Sequence, residues 1–302
     1  MDAVFYSIAF GGSEIAPVQL VRSVQSLRYF DRNTRVFVFL FGEAPDGFRE
    51  ALARLDAVVR PLGDYLTYIS SKEPARAELV ALDPKIHRWL VLEESELSAC
   101  SRLLYIDSDT FFFAPATQIF ERYRETDFYA REEPFCSRSS LGYDPAYIDE
   151  KALLELRLRD GLCVVPPFNT GVCLFTSGIA TAITSALPQY FDYLFRFLSW
   201  FHHHPLPQKV MASTSIRAVY DPRFRADPAR ALPYPSSNRW IVDQVAMWLA
   251  LGQYRNFSYA DLKPSDVWQG AEYRQMLSGA RRPLLCHSYG SNTAAFFNLL
   301  RS

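Results

Sequence analysis

Residues 102–109 read Arg-Leu-Leu-Tyr-Ile-Asp-Ser-Asp and contain the clearest structural signal in the chain. The apolar run from Leu103 to Ile106 is typical of a buried strand, and it leads directly into the carboxylates of Asp107 and Asp109. In open α/β sheets, ligands bind at the carboxyl ends of strands. Two carboxylates at such a place need a partner, and a hard divalent cation suits both of them. The stretch therefore predicts a strand that carries a cation-binding pair.

Strand and helix patterns alternate along the rest of the chain. Apolar runs rich in β-forming residues predict strands at Ala3–Phe10, Arg35–Leu40, Ala57–Arg60 and Phe168–Phe175. Three- and four-residue spacings of apolar side chains predict helices after Gly12, near Gly47–Leu55, at Leu79–Ser98 with an interruption at Pro84, and at Asn238–Leu251, the last with one apolar face. This alternation predicts the α/β class, with a mostly parallel sheet covered by helices.

Length and charge limit the classes of protein to which the chain can belong. A chain of 302 residues without a repeat or a low-complexity linker predicts one domain over 1–302, with an insertion at about 180–236. Its 32 basic and 33 acidic side chains nearly balance, which argues against nucleic acid as a partner.

The cysteines and the N-terminal residues bear on where in the cell the protein is located. Five cysteines form no C-x-x-C pair, and the N-terminus lacks the features of a signal peptide, so we predict a cytoplasmic protein. The apolar stretch 190–201 contains Asp192 and Arg196 and is too short to span a bilayer, which leaves peripheral contact with a membrane open.

Two further motifs place polar side chains beside apolar elements. In the Phe-Asn-Thr-Gly-Val motif at 168–172, the pair Asn169 and Thr170 precedes a glycine, as it would where the backbone approaches a ligand; the alternative is an ordinary turn. Asp243 and Gln244 fall in the first turns of a helix, where they could bind sugar hydroxyls, although the helix dipole favours an Asp there in any case.

Histidines occur at two places where metal binding has to be considered. His287 follows the apolar strand 283–286, and an imidazole together with carboxylates suits manganese; a structural histidine is the alternative. His202, His203 and His204 are not predicted to bind a metal, because adjacent side chains on a helix point in different directions.

A different enzyme class carries a similar aspartate pair. Haloacid-dehalogenase phosphatases also have two aspartates after a strand, but their motif continues with Gly and then Thr, whereas here Thr110 follows Asp109 directly. Their strand also lies near the N-terminus. A phosphatase therefore remains an alternative, as does a pair of aspartates that only caps the next turn.

The motifs follow one another in a definite order: Asp-Ser-Asp after a strand, Phe-Asn-Thr-Gly-Val, Asp-Gln on a helix, and His-x-x-Gly. In this combination the chain resembles the retaining glycosyltransferases of family eight, the group of glycogenin and the bacterial lipopolysaccharide galactosyl- and glucosyltransferases, over about residues 3–290. The resemblance implies the GT-A fold, a Rossmann-like α/β domain with a helical insertion, and Mn²⁺ or Mg²⁺ as cofactor. Such enzymes usually take a UDP-sugar and retain the anomeric configuration.

The resemblance also implies roles for individual residues. The metal ligands would be Asp107, Asp109 and His287. The nucleotide-binding residues would be Ala9, Asp107, Ser108, Asp109 and Gly290. The residues that bind the donor sugar would be Arg88, Asn169, Thr170, Asp243 and Gln244. Asp243 and Gln244 would be the catalytic pair, with Gln244 beneath the reacting carbon.

The chain departs from the family pattern in three places. Phe10-Gly11-Gly12-Ser13 stands where the family often has an Asp and a Tyr for the nucleoside, and Ser291 stands where a Lys often follows the last Gly. The segment between Asn169 and Asp243 is long, and it joins aromatic residues to arginines such as Arg223 and Arg225, a composition that suits an acceptor-binding segment. The alternative is that the aromatic residues pack this segment onto the main sheet and the arginines form a solvated surface.

We therefore predict a metal-dependent hexosyltransferase. Its partners would be a nucleotide-sugar donor and a hydroxyl acceptor on a glycan, a lipid-linked molecule or a protein. The alternatives are a phosphatase or a nucleotidyltransferase on a similar sheet, and a non-catalytic nucleotide-sugar-binding protein.

Overall fold

A computed structural model describes residues 1–10, 15–75, 77–80, 84–133, 136–137, 142–143, 147–203, 235–236, 239–254, 258–270, 272 and 282–288. The strands are β1 (Asp2–Ala9), β2 (Arg35–Phe41), β3 (Val58–Pro61), β4 (Arg102–Ile106), β5 (Thr110–Phe112), β6 (Phe128–Glu132), β7 (Cys136–Ser137), β8 (Gly142–Tyr143), β9 (Phe168–Thr176), β10 (Tyr259–Asp261), β11 (Val267–Gln269) and β12 (Leu285–His287).

Helices connect these strands and cover both faces of the main sheet. They are α1 (Ile15–Phe30), α2 (Phe48–Ala53), α3 (Tyr65–Lys72), α4 (Ala77–Val80), α5 (His87–Leu90), α6 (Ser95–Ser98), α7 (Ala116–Arg122), α8 (Glu150–Arg159), α9 (Ser177–His203) and α10 (Val242–Leu251). Short 3₁₀ turns lie at Pro84–Ile86, Val91–Glu93 and Arg239–Ile241.

The central sheet has the strand order β10-β6-β9-β4-β1-β2-β3. β1 lies parallel to β2 and β4, and its interior residues are buried because helices cover both faces of the sheet. β9 runs antiparallel to both of its neighbours, β4 and β6. The start of β9 therefore lies at the same edge of the sheet as the ends of β4 and β6. The predicted α/β class with a mostly parallel sheet is confirmed.

A second sheet brings the end of the described chain to this same edge. It has the order β11-β12-β5, in which β12 is parallel to β11 and antiparallel to β5. Because β5 begins directly after the Asp-Ser-Asp turn, the pairing of His287 with Thr110 places His287 next to Asp109. β7 and β8 form a separate two-stranded ladder.

One helix prediction is wrong in detail. The segment 79–98 is not one interrupted helix, since its described part consists of short helices and 3₁₀ turns, and Glu94 between them is extended with φ −69° and ψ 134°. In α10, burial extends beyond the predicted apolar residues Val245, Trp248 and Leu249, because every residue from Val242 to Leu251 is buried. α10 packs on both α9 and β9, which cover it on more than one side.

α9 contains the aromatic stretch that the sequence assigned to an insertion. Its side chains Tyr190, Phe191, Leu194 and Phe197 are buried in the core. No helix in the described ranges is long and apolar enough to cross a membrane. The rest of the predicted acceptor-binding segment, with Arg223 and Arg225, lies outside the described residues except for Pro235 and Ser236.

Candidate metal and donor site

Two carboxylates and an imidazole converge at the end of β4. Asp107 follows β4 and donates its N–H to the Gly171 carbonyl at 2.9 Å, and a turn closed by the Thr110 N–H and the Asp107 carbonyl at 3.0 Å leads into β5. Nε2 of His287 lies 3.3 Å from Oδ1 of Asp109 and 3.7 Å from Oδ2 of Asp107. One ligand atom from each of these three residues lies within 4.8 Å of the other two. This donor set fits Mn²⁺ or Mg²⁺.

The position of His287 depends on a glycine in β9. A Cβ atom added at Gly171 would lie 2.0 Å from Cε1 and 2.4 Å from Nδ1 of the His287 ring. No side chain fits between the β9 backbone and this imidazole, so Gly171 leaves the space in which the ring sits. The glycine that the sequence singled out therefore acts through His287.

The two carboxylates also affect the protonation of His287. Burial lowers the pKa of the imidazole, but the nearby carboxylates of Asp109 and Asp107 raise it and prevail, so the pKa lies above its ordinary value. A divalent cation has to displace this proton, because only the neutral imidazole binds a metal.

Arg88 places a buried positive charge beside the carboxylates. It lies in α5 with 5% of its surface exposed, and it donates from Nε to the Lys85 carbonyl at 2.9 Å and from Nη1 to the Thr170 hydroxyl. Its guanidinium nitrogens lie 3.9 Å from a carboxylate oxygen of Asp107 and 3.9 Å from one of Asp243. A guanidinium held in this way matches the geometry of phosphate oxygens.

The start of β9 and the first turn of α10 join through side-chain amides. The Thr170 N–H donates to Oε1 of Gln244 at 3.0 Å, and the Gly171 N–H donates to Oδ1 of Asn169 at 2.9 Å. Asn169, Thr170 and Gln244 are all buried. The residues predicted to bind the donor sugar thus lie together at the edge of the sheet that carries Asp107.

Glu133 is a buried acid of this network that the sequence interpretation did not include. It directly follows β6 and is fully buried, and its Oε2 accepts a hydrogen bond from Nδ2 of Asn169 at 3.2 Å. Glu133 therefore holds the Asn169 amide, which in turn accepts from the Gly171 N–H. The strand-end position resembles that of Asp107, but nothing in the string Glu132-Glu133 indicates which of the two acids turns inward.

Burial has a large effect on the pKa of Glu133. Loss of hydration raises the pKa of its carboxyl from 4.5 to about 7, although the hydrogen bond from Asn169 lowers it. Between pH about 4.5 and pH about 7, the folded state therefore holds a proton on Glu133 that the unfolded state has lost. The neutral Glu133 carboxyl stabilises the folded state fully below pH about 4.5, and this stabilisation is lost as the pH rises through about 7.

Replacement of Glu133 by Gln should remove this pH dependence. In chelator-treated protein, the unfolding free energy of Glu133→Gln relative to wild type should rise by roughly 3 kcal/mol between pH 4.5 and pH 8, because the amide never ionises. Urea unfolding across this range measures the difference. Glu132→Gln, at the partly exposed neighbour, is the matched control. If the difference in unfolding free energy between Glu133→Gln and wild type stays constant from pH 4.5 to pH 8, Glu133 is not held neutral in the folded state.

Ala9 and Ser108, which the resemblance assigns to nucleotide binding, lie at the end of β1 and just after the end of β4. Ala9 ends β1 at the same edge of the sheet, and Ser108 lies partly exposed between the two aspartates. Gly290 and His204 lie outside the described residues. His202 and His203 belong to the last turn of α9, and the description does not extend to their side chains.

Comparison with solved structures supports the predicted fold. The bifunctional glycosyltransferase WbbM matches with a TM-score of 0.53 at 13% identity, over 96% of this chain and 46% of WbbM. An active-site mutant of LgtC, a family-eight protein, matches with a TM-score of 0.50 at 13% identity, over 100% of this chain and 95% of LgtC. The fold is that of the GT-A glycosyltransferases.

The observed fold is therefore the one that the sequence resemblance implies. No protein-family model and no curated protein matches the sequence. At identities this low the comparison shows the GT-A fold alone. The chemistry depends on the side chains at the edge of the sheet.

Proposed function

We propose that this GT-A protein is a metal-dependent glycosyltransferase that moves a hexose from a nucleoside diphosphate sugar, UDP-linked as the family resemblance implies, to a hydroxyl acceptor with retention of configuration. The observation that carries the proposal is the cluster of Asp107, Asp109 and His287 beside a buried network of Arg88 and side-chain amides. A cation site for a diphosphate and polar groups for a sugar thus share one edge of the sheet.

The metal centre would be held by Asp107, Asp109 and His287. A bound Mn²⁺ or Mg²⁺ supplies Lewis-acid stabilisation of the charge on a departing diphosphate. Arg88, fixed by Lys85 and Thr170, adds a permanent positive charge that needs no reorganisation during the reaction. Ser108 and Ala9, at the same strand ends, are proposed to contact the nucleoside.

The amide network would hold the sugar. Gln244 accepts from the Thr170 N–H through Oε1, which sets the orientation of its carboxamide. Asn169 is fixed between Glu133 and the Gly171 N–H in the same way. We assign Gln244 and Asp243 to the reacting side of the sugar, where preorganised dipoles contribute most.

The acceptor is proposed to be a hydroxyl of a glycan, a lipid-linked molecule or a protein. The segment after α9 is proposed to contribute to its binding, and it lies outside the described residues. The cytoplasmic location remains a prediction.

Donor hydrolysis tests the proposal directly. Chelator-treated protein is incubated with UDP-, GDP- and dTDP-hexoses with and without Mn²⁺, and the released sugar is followed by NMR. We expect slow hydrolysis of the UDP-sugar that requires Mn²⁺ and initially yields the donor's anomer, because water replaces the acceptor. Simple phosphate esters are the control substrates. Their rapid cleavage would indicate a phosphatase, and donor binding without hydrolysis or transfer would indicate a binding protein.

A further inference from the structure

The carboxylate of Asp107 has two different neighbourhoods. Its Oδ1 accepts the hydroxyl of Tyr105 at 2.5 Å, and Nη1 of Arg88 lies 3.9 Å from the same oxygen. Its Oδ2 lies on the side of His287, 3.7 Å from Nε2. One oxygen is therefore held by the protein, while the other faces the proposed metal ligands.

Tyr105 in turn packs against side chains of the neighbouring strand β1. The side chain is 2% exposed, and its ring packs against Phe5, its partner in the sheet register, at 5.3 Å between centroids. Ser7 lies two residues further along the same face of β1 as Phe5. Oγ of Ser7 lies 2.5 Å from Nδ1 of His87, in α5.

The chemistry of the groups fixes the direction of the bond between Tyr105 and Asp107. A carboxylate has no proton to give, so the Tyr105 hydroxyl donates to Asp107. Burial and the charge of Arg88 lower the pKa of His87 to about 3, so the ring is neutral and forms one hydrogen bond with the Ser7 hydroxyl.

We propose that Tyr105 is a positioning residue that orients the Asp107 carboxylate for the metal ion. By holding Oδ1, the Tyr105 hydroxyl leaves Oδ2 turned towards His287. Partners behind a metal ligand commonly change metal affinity by about 10- to 100-fold. The inference rests on the metal centre of the proposed function and adds a residue that does not itself touch the ion.

A pair of tyrosine variants tests the inference. Tyr105→Phe removes the hydroxyl and keeps the ring in the core. Tyr6→Phe is the matched control, since Tyr6 is also fully buried and hydrogen-bonded, to Ser23 at 2.8 Å, but packs in the apolar cluster on the other face of the sheet. The measurement is a titration of chelator-treated protein with Mn²⁺ alone, with free Mn²⁺ read from its EPR signal, alongside the melting temperature.

We expect Tyr105→Phe to raise the Kd for Mn²⁺ at least about 10-fold, and Tyr6→Phe to lower the melting temperature without changing the Kd. Ser7→Ala, which keeps the Tyr105 hydroxyl but removes a polar neighbour of it on β1, should raise the Kd by less. It is the variant to rely on if Tyr105→Phe does not fold.

The possible failures are distinguishable. If wild type binds Mn²⁺ and Tyr105→Phe and Ser7→Ala bind it equally well, the positioning role is wrong while the metal centre stands. An equal loss of affinity in Tyr6→Phe would assign the effect to general loosening of the sheet and overturn the inference. Failure of wild type to bind Mn²⁺ would overturn the metal centre and, with it, this role of Tyr105.

Discussion

Asp109→Asn should bind Mn²⁺ more than about 100-fold more weakly than wild type, a larger loss than changes behind a metal ligand produce. The reason is that the amide keeps the shape of the side chain but removes a full negative charge 3.3 Å from Nε2 of His287. The Asp109 carboxylate lies outside the apolar core but pairs with His287, so the melting temperature of the metal-free protein should fall modestly where His287 is protonated and change little at higher pH. Titration with Mn²⁺ and a thermal scan in chelator measure both quantities.

Asp64→Asn is the matched control for this substitution. Asp64 caps the start of α3 by accepting from the Thr67 N–H at 2.8 Å, and Asn caps a helix about as well as Asp does. It should therefore bind Mn²⁺ like wild type. Wild-type affinity in Asp109→Asn would place the metal elsewhere in the molecule.

Gly171→Ala should also lose Mn²⁺ binding, although the new methyl group touches no metal. An added Cβ would overlap the His287 ring at 2.0 Å, and the imidazole is buried, so it has to leave its position. With the imidazole displaced, the ligand set falls to two carboxylates, and the Kd for Mn²⁺ should rise by about 100-fold or more. The overpacking should also cost about 1–3 kcal/mol of unfolding free energy, measured by urea titration.

Gly178→Ala provides the comparison at a helix position. A Cβ there would meet only Oγ1 of Thr176, at 3.8 Å, which is an ordinary contact, and alanine favours the helical conformation of α9. This variant should be at least as stable as wild type and bind Mn²⁺ normally. Normal Mn²⁺ binding in Gly171→Ala would show that His287 is not a ligand.

Local sequence was sufficient to predict the parts of the fold that depend on short apolar runs. β1, β2 and β4 appear within one or two residues of the predicted bounds, because buried parallel strands are apolar along their whole length. The segment 79–98 was harder, since its helical spacing is real but Trp89 and Leu92 are fixed by the surrounding core in separate short turns. Tertiary packing decides such cases and propensity does not.

The composition of the site was predicted better than its geometry. The motifs at Asp107, Asn169 and His287 were recognised from sequence, but their closeness depends on the reversed direction of β9 and on the pairing of β12 with β5. These are long-range relations that no local pattern encodes. Glu133 was not predicted, because a bulge after Ala130 changes which side chains of β6 face inward. Counting alternate residues along the strand therefore does not identify the buried acid.

The pairing of β12 with β5 has a thermodynamic consequence for the end of the described chain. His287 is the last residue of a three-residue strand in a small sheet, and it reaches the proposed metal only while that strand is docked. Local unfolding of β12 and release of a cation bound at the proposed site would then be one event. Mass action would make the opening of this edge costlier by RT ln(1 + [M]/Kd), so amide hydrogen exchange in β12 would slow as the metal concentration rises. The strand that completes the proposed site would thus be stabilised by the ion that it helps to bind.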